Sequence, residues 1–288
     1  MNKVYPRRWS GRPAGSLAAL ALTLALVGGA TAAPASAART GPVYIALGDS
    51  YAAGTGGGVY SAPPPGLPAE CRQTAASYPA VRGAALNLGC FGAKTTDVSA
   101  LANLYGSALA SASVVTVTVG GNDVDTGQVA AACSTSAASA ACGAALYNSL
   151  AVKLPELPAK IKAMVATIKK KAPKAKVVLT GYPRLFTARA GLTAEQALAV
   201  RSMNSAADLL NATIAYSARA NRAGYVSVTE WFARHGIGSA DPWIVAPAGL
   251  CTLDVNCPSA ADGADAFHPT AAGYSEGYAK ALRAARLS

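Results

Sequence analysis

Short, nearly continuous apolar runs recur along the chain: VYIAL (43–47), AALNL (84–88), VVTVTV (114–119), KVVLTGY (176–182) and YVSVTE (225–230). Helix-like stretches separate them. Such runs predict strands of a parallel sheet covered on both faces. The clearest helix begins at Thr193, whose hydroxyl caps it while Gln196 reaches back three residues later, and its pattern runs to Gly224. Leu198, Met203, Ala206, Leu209, Leu210 and Ile214 fall on one stripe of that helix. A second helix, roughly 156–171, carries Leu157, Ile161, Met164, Val165 and Ile168 on one face, and a last one follows Pro269. The pattern predicts an α/β chain: a three-layer α/β/α arrangement around a central five-stranded parallel sheet. SAPPPGLP (61–68) and the Ala/Ser-rich stretch 130–145 read as long loops. No linker, repeat or charge block divides the region.

The N-terminus does not fit this pattern. Lys3, Arg7, Arg8 and Arg12 precede an apolar run from Leu17 to Val27, and the small residues Ala35-Ser36-Ala37 follow. That is the layout of a secretory signal peptide, and its apolar core is shorter than the roughly 20 residues of a membrane span. The expectation is cleavage after Ala37, leaving a single domain over 38–288, secreted and without a membrane span. The Arg7-Arg8 pair leaves the general and twin-arginine export routes both open. Cleavage removes four basic and no acidic residues from a chain of formal charge +11. The remaining excess lies largely in lysines between Lys153 and Lys176, with no aromatic or arginine interleaved, which reads as a solvated helix face rather than a nucleic-acid surface.

The 6 cysteines form three close pairs in sequence. An even count in an exported chain favours disulfides. Pairing neighbours, Cys71–Cys90, Cys133–Cys142 and Cys251–Cys257, closes the shortest loops. A zinc site is the competing reading, but neither CxxC nor HxxxH occurs and there are only 2 histidines.

Ser50 follows the first apolar run directly, where doubly wound sheets place their ligands. Asp49-Ser50 is equally ordinary helix-cap chemistry. A serine nucleophile needs a base, which leaves His235 and His268. His268 has Asp265 three residues before it and Pro269 after it; His235 has an arginine beside it and no carboxylate within three residues downstream. His268 is the better base, although a surface histidine ahead of a helix would look the same. Gly120-Gly121-Asn122-Asp123 after the third run offers a side-chain N–H, and Gly92 a backbone N–H, for an anionic intermediate. Each is also common turn chemistry. Gly273-Tyr274-Ser275-Glu276-Gly277 matches the G-x-S-x-G elbow, but no strand precedes it and no histidine follows it. GTGGG and GAKT lack the frames of nucleotide-binding loops, and the aspartates Asp254, Asp262 and Asp265 are too sparse for a calcium loop. No cofactor or metal is implied.

Taken in order, Gly48-Asp49-Ser50, Gly92 through Asp97, Gly120 to Asp123 and Asp265-Ala266-Phe267-His268 resemble the four signature blocks of the SGNH (GDSL) hydrolase family. The resemblance covers essentially all of 38–288. It implies a flavodoxin-like fold with Ser50 as nucleophile, His268 as base and Asp265 as its orienting acid. The Ser50 and Gly92 amides and the Asn122 side chain form the implied oxyanion hole. The three cysteine pairs and the DPWI segment (241–244) look most like the secreted bacterial lipases and esterases of that family, in some of which a backbone carbonyl replaces the acid. The first block reads GDSY rather than GDSL. The resemblance implies a monomer acting on lipid or hydrophobic esters, at a lipid–water interface in some cases. Phospholipids and acetylated carbohydrates are the rival substrates, and a non-catalytic binding protein the rival of another class. VYSAPPPGLP (59–68) and Trp243-Ile244-Val245 are candidates to line an acyl groove, or equally to pack as loops on the sheet.

Overall fold

The computed structural model describes residues 42–251, 261 and 263–287. The five apolar runs form β1 (Tyr44–Gly48), β2 (Leu86–Gly89), β3 (Val114–Thr118), β4 (Lys176–Thr180) and β5 (Gly224–Val226). They make one parallel sheet in the order β2-β1-β3-β4-β5. The winding direction changes between β1 and β3, which opens a crevice at the carboxyl ends of those strands. Gly48 of β1 stands opposite Gly89 of β2 and Thr118 of β3. The loops carrying Ser50, Gly92 and Asn122 therefore leave the sheet at one level.

The main helices are α1 (Ser50–Ala53), α2 (Thr95–Leu104), α3 (Thr126–Thr135), α4 (Ala140–Tyr147), α5 (Leu157–Lys171) and α6 (Ala194–Ala220). A π-helical turn, Gly273–Ala279, then leads into α7 (Lys280–Ala284). Every residue of β1 and β3 is buried. Successive side chains of a strand point to opposite faces. Accordingly Ile45, Leu47, Val115, Val117, Val177 and Leu179 pack with apolar residues of α2, α5 and α6. Val178 of β4 lies instead with Val226, Phe232, Tyr274, Tyr278 and Leu282. The buried strand threonines are paired, Thr118 Oγ1 with both the Tyr78 hydroxyl at 2.8 Å and Thr180 Oγ1 at 2.5 Å. These pairs satisfy polar groups that burial would otherwise leave at a cost.

Three expectations change. The long helix starts at Thr193 with the capping box intact, but it ends at Ala220 rather than at Gly224. Arg222 takes the left-handed turn at φ 55°. Lys169 Nζ donates to the exposed carbonyls of Asn221 and Arg222, at 2.8 and 3.0 Å. Of its stripe, Met203, Leu210 and Ile214 are buried, while Leu198 and Leu209 are 42% and 50% exposed; Leu209 is a neighbour of Leu210 and so lies about 100° around the helix. The stretch 130–145 is helical rather than a loop. Its alanines favour helix, Ser139 caps α4 by accepting from the Cys142 N–H at 3.0 Å, and the Cys133–Cys142 disulfide staples α3 to α4. The Cys71–Cys90 disulfide forms as well. The expected Cys251–Cys257 pair and the segment 1–37 lie outside the described residues, apart from the Cys251 backbone. The G-x-S-x-G match lies, as expected, in the C-terminal helical segment. A Cβ on Gly277 would stand 2.2 Å from the Phe232 ring, and one on Gly273 would stand 2.6 Å from the Trp243 carbonyl. These glycines serve close packing.

Candidate active site

The chain turns sharply as it leaves β1. Gly48 has φ 141°, and a Cβ there would lie 2.3 Å from the Thr118 carbonyl oxygen, so only glycine fits. Asp49 then caps α1, its Oδ1 accepting from the Tyr51 N–H at 3.0 Å. Ser50 is thereby presented as the first residue of α1, with its Oγ 2.7 Å from His268 Nε2. Of the two histidines, His268 is the one that the fold brings to the serine. His235 instead stacks on Trp243 at 3.5 Å and has Asp241 Oδ2 at 3.2 Å from its Nδ1, a carboxylate six residues downstream.

The other ring nitrogen of His268, Nδ1, lies 3.0 Å from the Ala266 carbonyl oxygen. A carbonyl only accepts, so this contact places the proton on Nδ1 and leaves the Nε2 lone pair facing the Ser50 hydroxyl. Burial pushes the His268 pKa down to about 4, with the Ala266 carbonyl and the more distant Asp265 charge opposing. The ring is therefore neutral over the mildly acidic to alkaline range, as a general base must be.

Asp265 is placed differently from the expectation of a carboxylate on the ring. Its Oδ1 accepts a hydrogen bond from the Tyr60 hydroxyl. Among the described residues that carboxylate makes neither a hydrogen bond nor an ion pair with the His268 ring; only the Asp265 backbone carbonyl meets His268, accepting from its N–H at 3.1 Å. The intervening turn explains this: Phe267 adopts φ 64°, which folds the backbone back so that the Ala266 carbonyl, rather than the Asp265 side chain, meets the imidazole. Three tertiary ties hold that turn. The Tyr51 hydroxyl donates to the Phe267 carbonyl at 2.7 Å, the Phe267 N–H to the Val245 carbonyl at 2.8 Å, and the Val245 N–H to the His268 carbonyl at 2.8 Å. Gly56 backs the histidine closely, since a Cβ on it would lie 2.9 Å from His268 Cβ.

The backbone N–H groups of Ser50 and Gly92, which line the same cavity, have no acceptor among the described residues. Asn122 joins them, its Nδ2 held by donation of one hydrogen to the Ala93 carbonyl at 3.0 Å, which leaves the second hydrogen free. The neighbouring Asp123 accepts from the Thr95 N–H at 3.0 Å and the Thr95 hydroxyl at 2.7 Å. The loops after β2 and β3 are thus locked together, and with them the donors they carry. Such a set of convergent donors suits a developing oxyanion.

Two residues that the sequence did not single out complete the frame. Tyr182, at the end of the KVVLTGY run, donates to Asp49 Oδ2 at 2.5 Å and accepts from the Gly121 N–H at 3.1 Å. It connects the serine turn to the asparagine turn; its position just past a strand end was a readable signal. Burial raises the Asp49 pKa to about 7, against the lowering effect of the Tyr182 and Tyr51 hydrogen bonds. Tyr51, the residue that departs from GDSL, ties the serine turn to the histidine loop.

Ser50, Gly92, Asn122 and His268 line one end of a cavity of about 340 Å³. Its remaining walls are largely apolar: Val124 and Val129 beside α3, Leu185 after β4, and Met203, Ala206 and Leu210 of α6. The stretches 59–68 and 243–245 do not line it. Val59 is 92% exposed, and Ile244 and Val245 are buried elsewhere in the fold.

A model of the GDSL-like lipase/acylhydrolase family matches residues 46–275. In sequence the chain is 33% identical over 285 residues to a lipase from Streptomyces rimosus, covering 95% of this chain and 98% of the relative. In structure it is similar to the extracellular lipase of Streptomyces rimosus, with TM-score 0.71 and 31% identity over 85% of this chain and 100% of that one. It is equally similar to phospholipase A1 from Streptomyces albidoflavus NA297, with TM-score 0.71 and 33% identity over 84% and 98%. A match over most of the chain, carried by a site of this geometry, means that the chain belongs to the GDSL-like lipase/acylhydrolase family and is a carboxylic ester hydrolase.

Proposed function

We propose that this ester hydrolase is a lipase or esterase working through an acyl-enzyme on Ser50. His268 takes the Ser50 proton through Nε2 as the oxygen attacks the ester carbonyl. The negative charge rests on the Ser50 and Gly92 N–H groups and the Asn122 amide. His268 then gives the proton to the departing alcohol, and water repeats the sequence on the acyl-enzyme, regenerating Ser50. The Ala266 carbonyl orients the ring, and Asp265 acts as a more distant negative charge while it fastens Tyr60. The observation that carries this reading is the 2.7 Å contact of Ser50 Oγ with His268 Nε2 at the mouth of an apolar cavity. An acyl chain is the part of a substrate that such a cavity suits.

The test is hydrolysis of p-nitrophenyl esters from acetyl to palmitoyl by oxidised protein of residues 38–288, with Ser50→Ala alongside. Activity at medium or long chains that vanishes in the variant supports the reading; acetyl-only activity would favour a carbohydrate or small-ester esterase, and none at all a binding protein.

Phospholipid is the second substrate reading, favoured by Arg72. Its guanidinium lies 5.0 Å from the Phe91 ring and 5.9 Å from the Tyr60 ring, makes no ion pair among the described residues, and so offers a phosphate a partner beside a ring that lines the cavity. The named phospholipase A1 among the similar structures agrees with this. Comparing phosphatidylcholine with triacylglycerol, in the parent and in Arg72→Gln, separates the two.

Export follows from the signal-like residues 1–37, supported by two disulfides and by the extracellular lipase among the similar structures. No helix among the described residues is long and apolar enough to cross a membrane. We take the processed chain to act as a monomeric domain over 38–288.

A further inference from the structure

The cavity at Ser50 has a neighbour: a second cavity, of about 280 Å³, shares one lining residue with it. Met203 of α6 borders both. The walls continue as well. On α3 the first cavity is bordered by Val129 and the second by Cys133, one helical turn on; after β4 the first is bordered by Leu185 and the second by Phe186. Along α6 the first takes Leu210 and Ala206, and the second Ala199 and Gln196. From Leu210 to Gln196 the helix advances about 21 Å. The two cavities are thus successive parts of one groove between the same elements, interrupted at Met203.

We infer that Met203 sets the length of acyl chain this enzyme accepts, by standing as a partition between the cavity at Ser50 and its continuation toward Ala199. The inference rests on the acyl-enzyme reading above. Met203 is 5% exposed and belongs to an apolar cluster with Val129, Cys133 and Cys142, against which Phe186 and Ala199 pack, so it is buried between the two cavities rather than turned to solvent. A thioether side chain, unbranched and with three rotatable bonds, is also the kind that fills such a gap without shaping it rigidly. The second cavity is lined by apolar Phe186, Ile237 and Val200 and by polar groups that include Ser136, which donates to Glu195 at 2.5 Å at the exposed start of α6. A chain that passed Met203 would bury further methylenes along the apolar part, each worth about fourfold in binding, and would stop at the polar rim.

The experiment is kcat/KM for p-nitrophenyl esters from butyryl to palmitoyl, below their critical micelle concentrations, in the parent, Met203→Leu, Met203→Ala and the double variant Met203→Ala/Ala199→Phe. Thermal unfolding of each reports on the fold. Removing the partition in Met203→Ala is expected to raise the palmitoyl-to-butyryl ratio at least tenfold. Met203→Leu, close in volume, keeps the parental ratio. The phenyl ring placed in the second cavity by Ala199→Phe returns the ratio to near the parental value. A ratio within twofold of the parent in folded Met203→Ala overturns the inference, and so does a raised ratio that Ala199→Phe leaves untouched. Should Met203→Ala lose its unfolding transition, Met203→Val makes the same comparison. A parent that cleaves no ester, butyryl included, sinks the acyl-enzyme reading itself and the inference with it.

Discussion

The two halves of the site are built on different principles. The proposed nucleophile and oxyanion donors stand at the carboxyl ends of β1, β2 and β3, on backbone fixed by the parallel ladder and by buried ties such as Asp123 to Thr95 and Tyr182 to Asp49. The proposed base, His268, stands on an irregular turn with a left-handed Phe267, anchored by single hydrogen bonds from Tyr51 and to and from Val245. A donor set on regular elements is preorganised with the fold, whereas the base depends on a few long-range contacts. The sheet-borne half should therefore respond to loss of its own chemical groups, and the loop-borne half to loss of its props.

The largest expected effect is at the sheet. Ser50→Ala should lower kcat by on the order of 10⁶, as loss of such a nucleophile does, measured as steady-state ester hydrolysis with the unfolding midpoint retained. Next comes Asn122→Ala, expected to lower kcat by ~10² to 10³ through loss of one oxyanion donor. Its fold should survive, because Thr95 and Asp123 lock the two loops without Asn122. On the loop side no chemical group need be removed. Gly56→Ala would press on His268 from 2.9 Å at a backbone φ of 83°, and misplacing the base by a fraction of an ångström to an ångström should cost up to ~10² in kcat/KM. An effect of Gly56→Ala below twofold would mean that the loop is as firmly built as the sheet.

pH sharpens the contrast. The acid limb of kcat/KM should fall near pH 4, where burial puts the His268 pKa, rather than near its ordinary 6.5; a limb at 6.5 would show a ring far more open to water. Stability carries two opposed contributions. His268 has a depressed folded pKa, so its contribution is present above 6.5 and is lost as pH falls toward 4. Asp49 has a raised one, so its contribution is present below its unfolded value of 3.8 and is lost as pH rises through about 7. Asp49→Asn removes the second contribution, and its unfolding midpoint should climb more steeply between pH 4 and 7 than the parent's. The smallest effect on turnover should come from Asp265→Asn, below tenfold in kcat/KM, because the ring is oriented by the Ala266 carbonyl.

The same contrast explains what could be read in the sequence. Five strands were visible because burial on both faces leaves a near-continuous apolar run, and strand ends then point to Ser50 and Asn122 with little further information. His268 could be proposed because only two histidines compete, and the structure sets its ring against Ser50. What orients it was left open: the resemblance admitted a backbone carbonyl in place of Asp265, but a carbonyl has no signature in side-chain identity and a left-handed Phe267 is a conformation that sequence does not advertise. Asp265, three residues from the histidine, suggested a carboxylate on the ring; its actual partner, Tyr60, is 205 residues away along the chain. The helical hairpin of α3 and α4 was hidden by its serines and glycines, and its formation moves the apolar cavity to α3 and α6, away from the proline-rich stretch and the DPWI segment.

The most direct test of the account is the rate at which a p-nitrophenyl phosphonate labels the protein, followed by intact mass and located by peptide mapping, in the parent, His268→Ala and Asp265→Asn. The account predicts a single label on Ser50, formed in Asp265→Asn within tenfold of the parental rate and in His268→Ala slower by several orders of magnitude. A label on any other residue, or an Asp265→Asn protein as slow as His268→Ala, would contradict it.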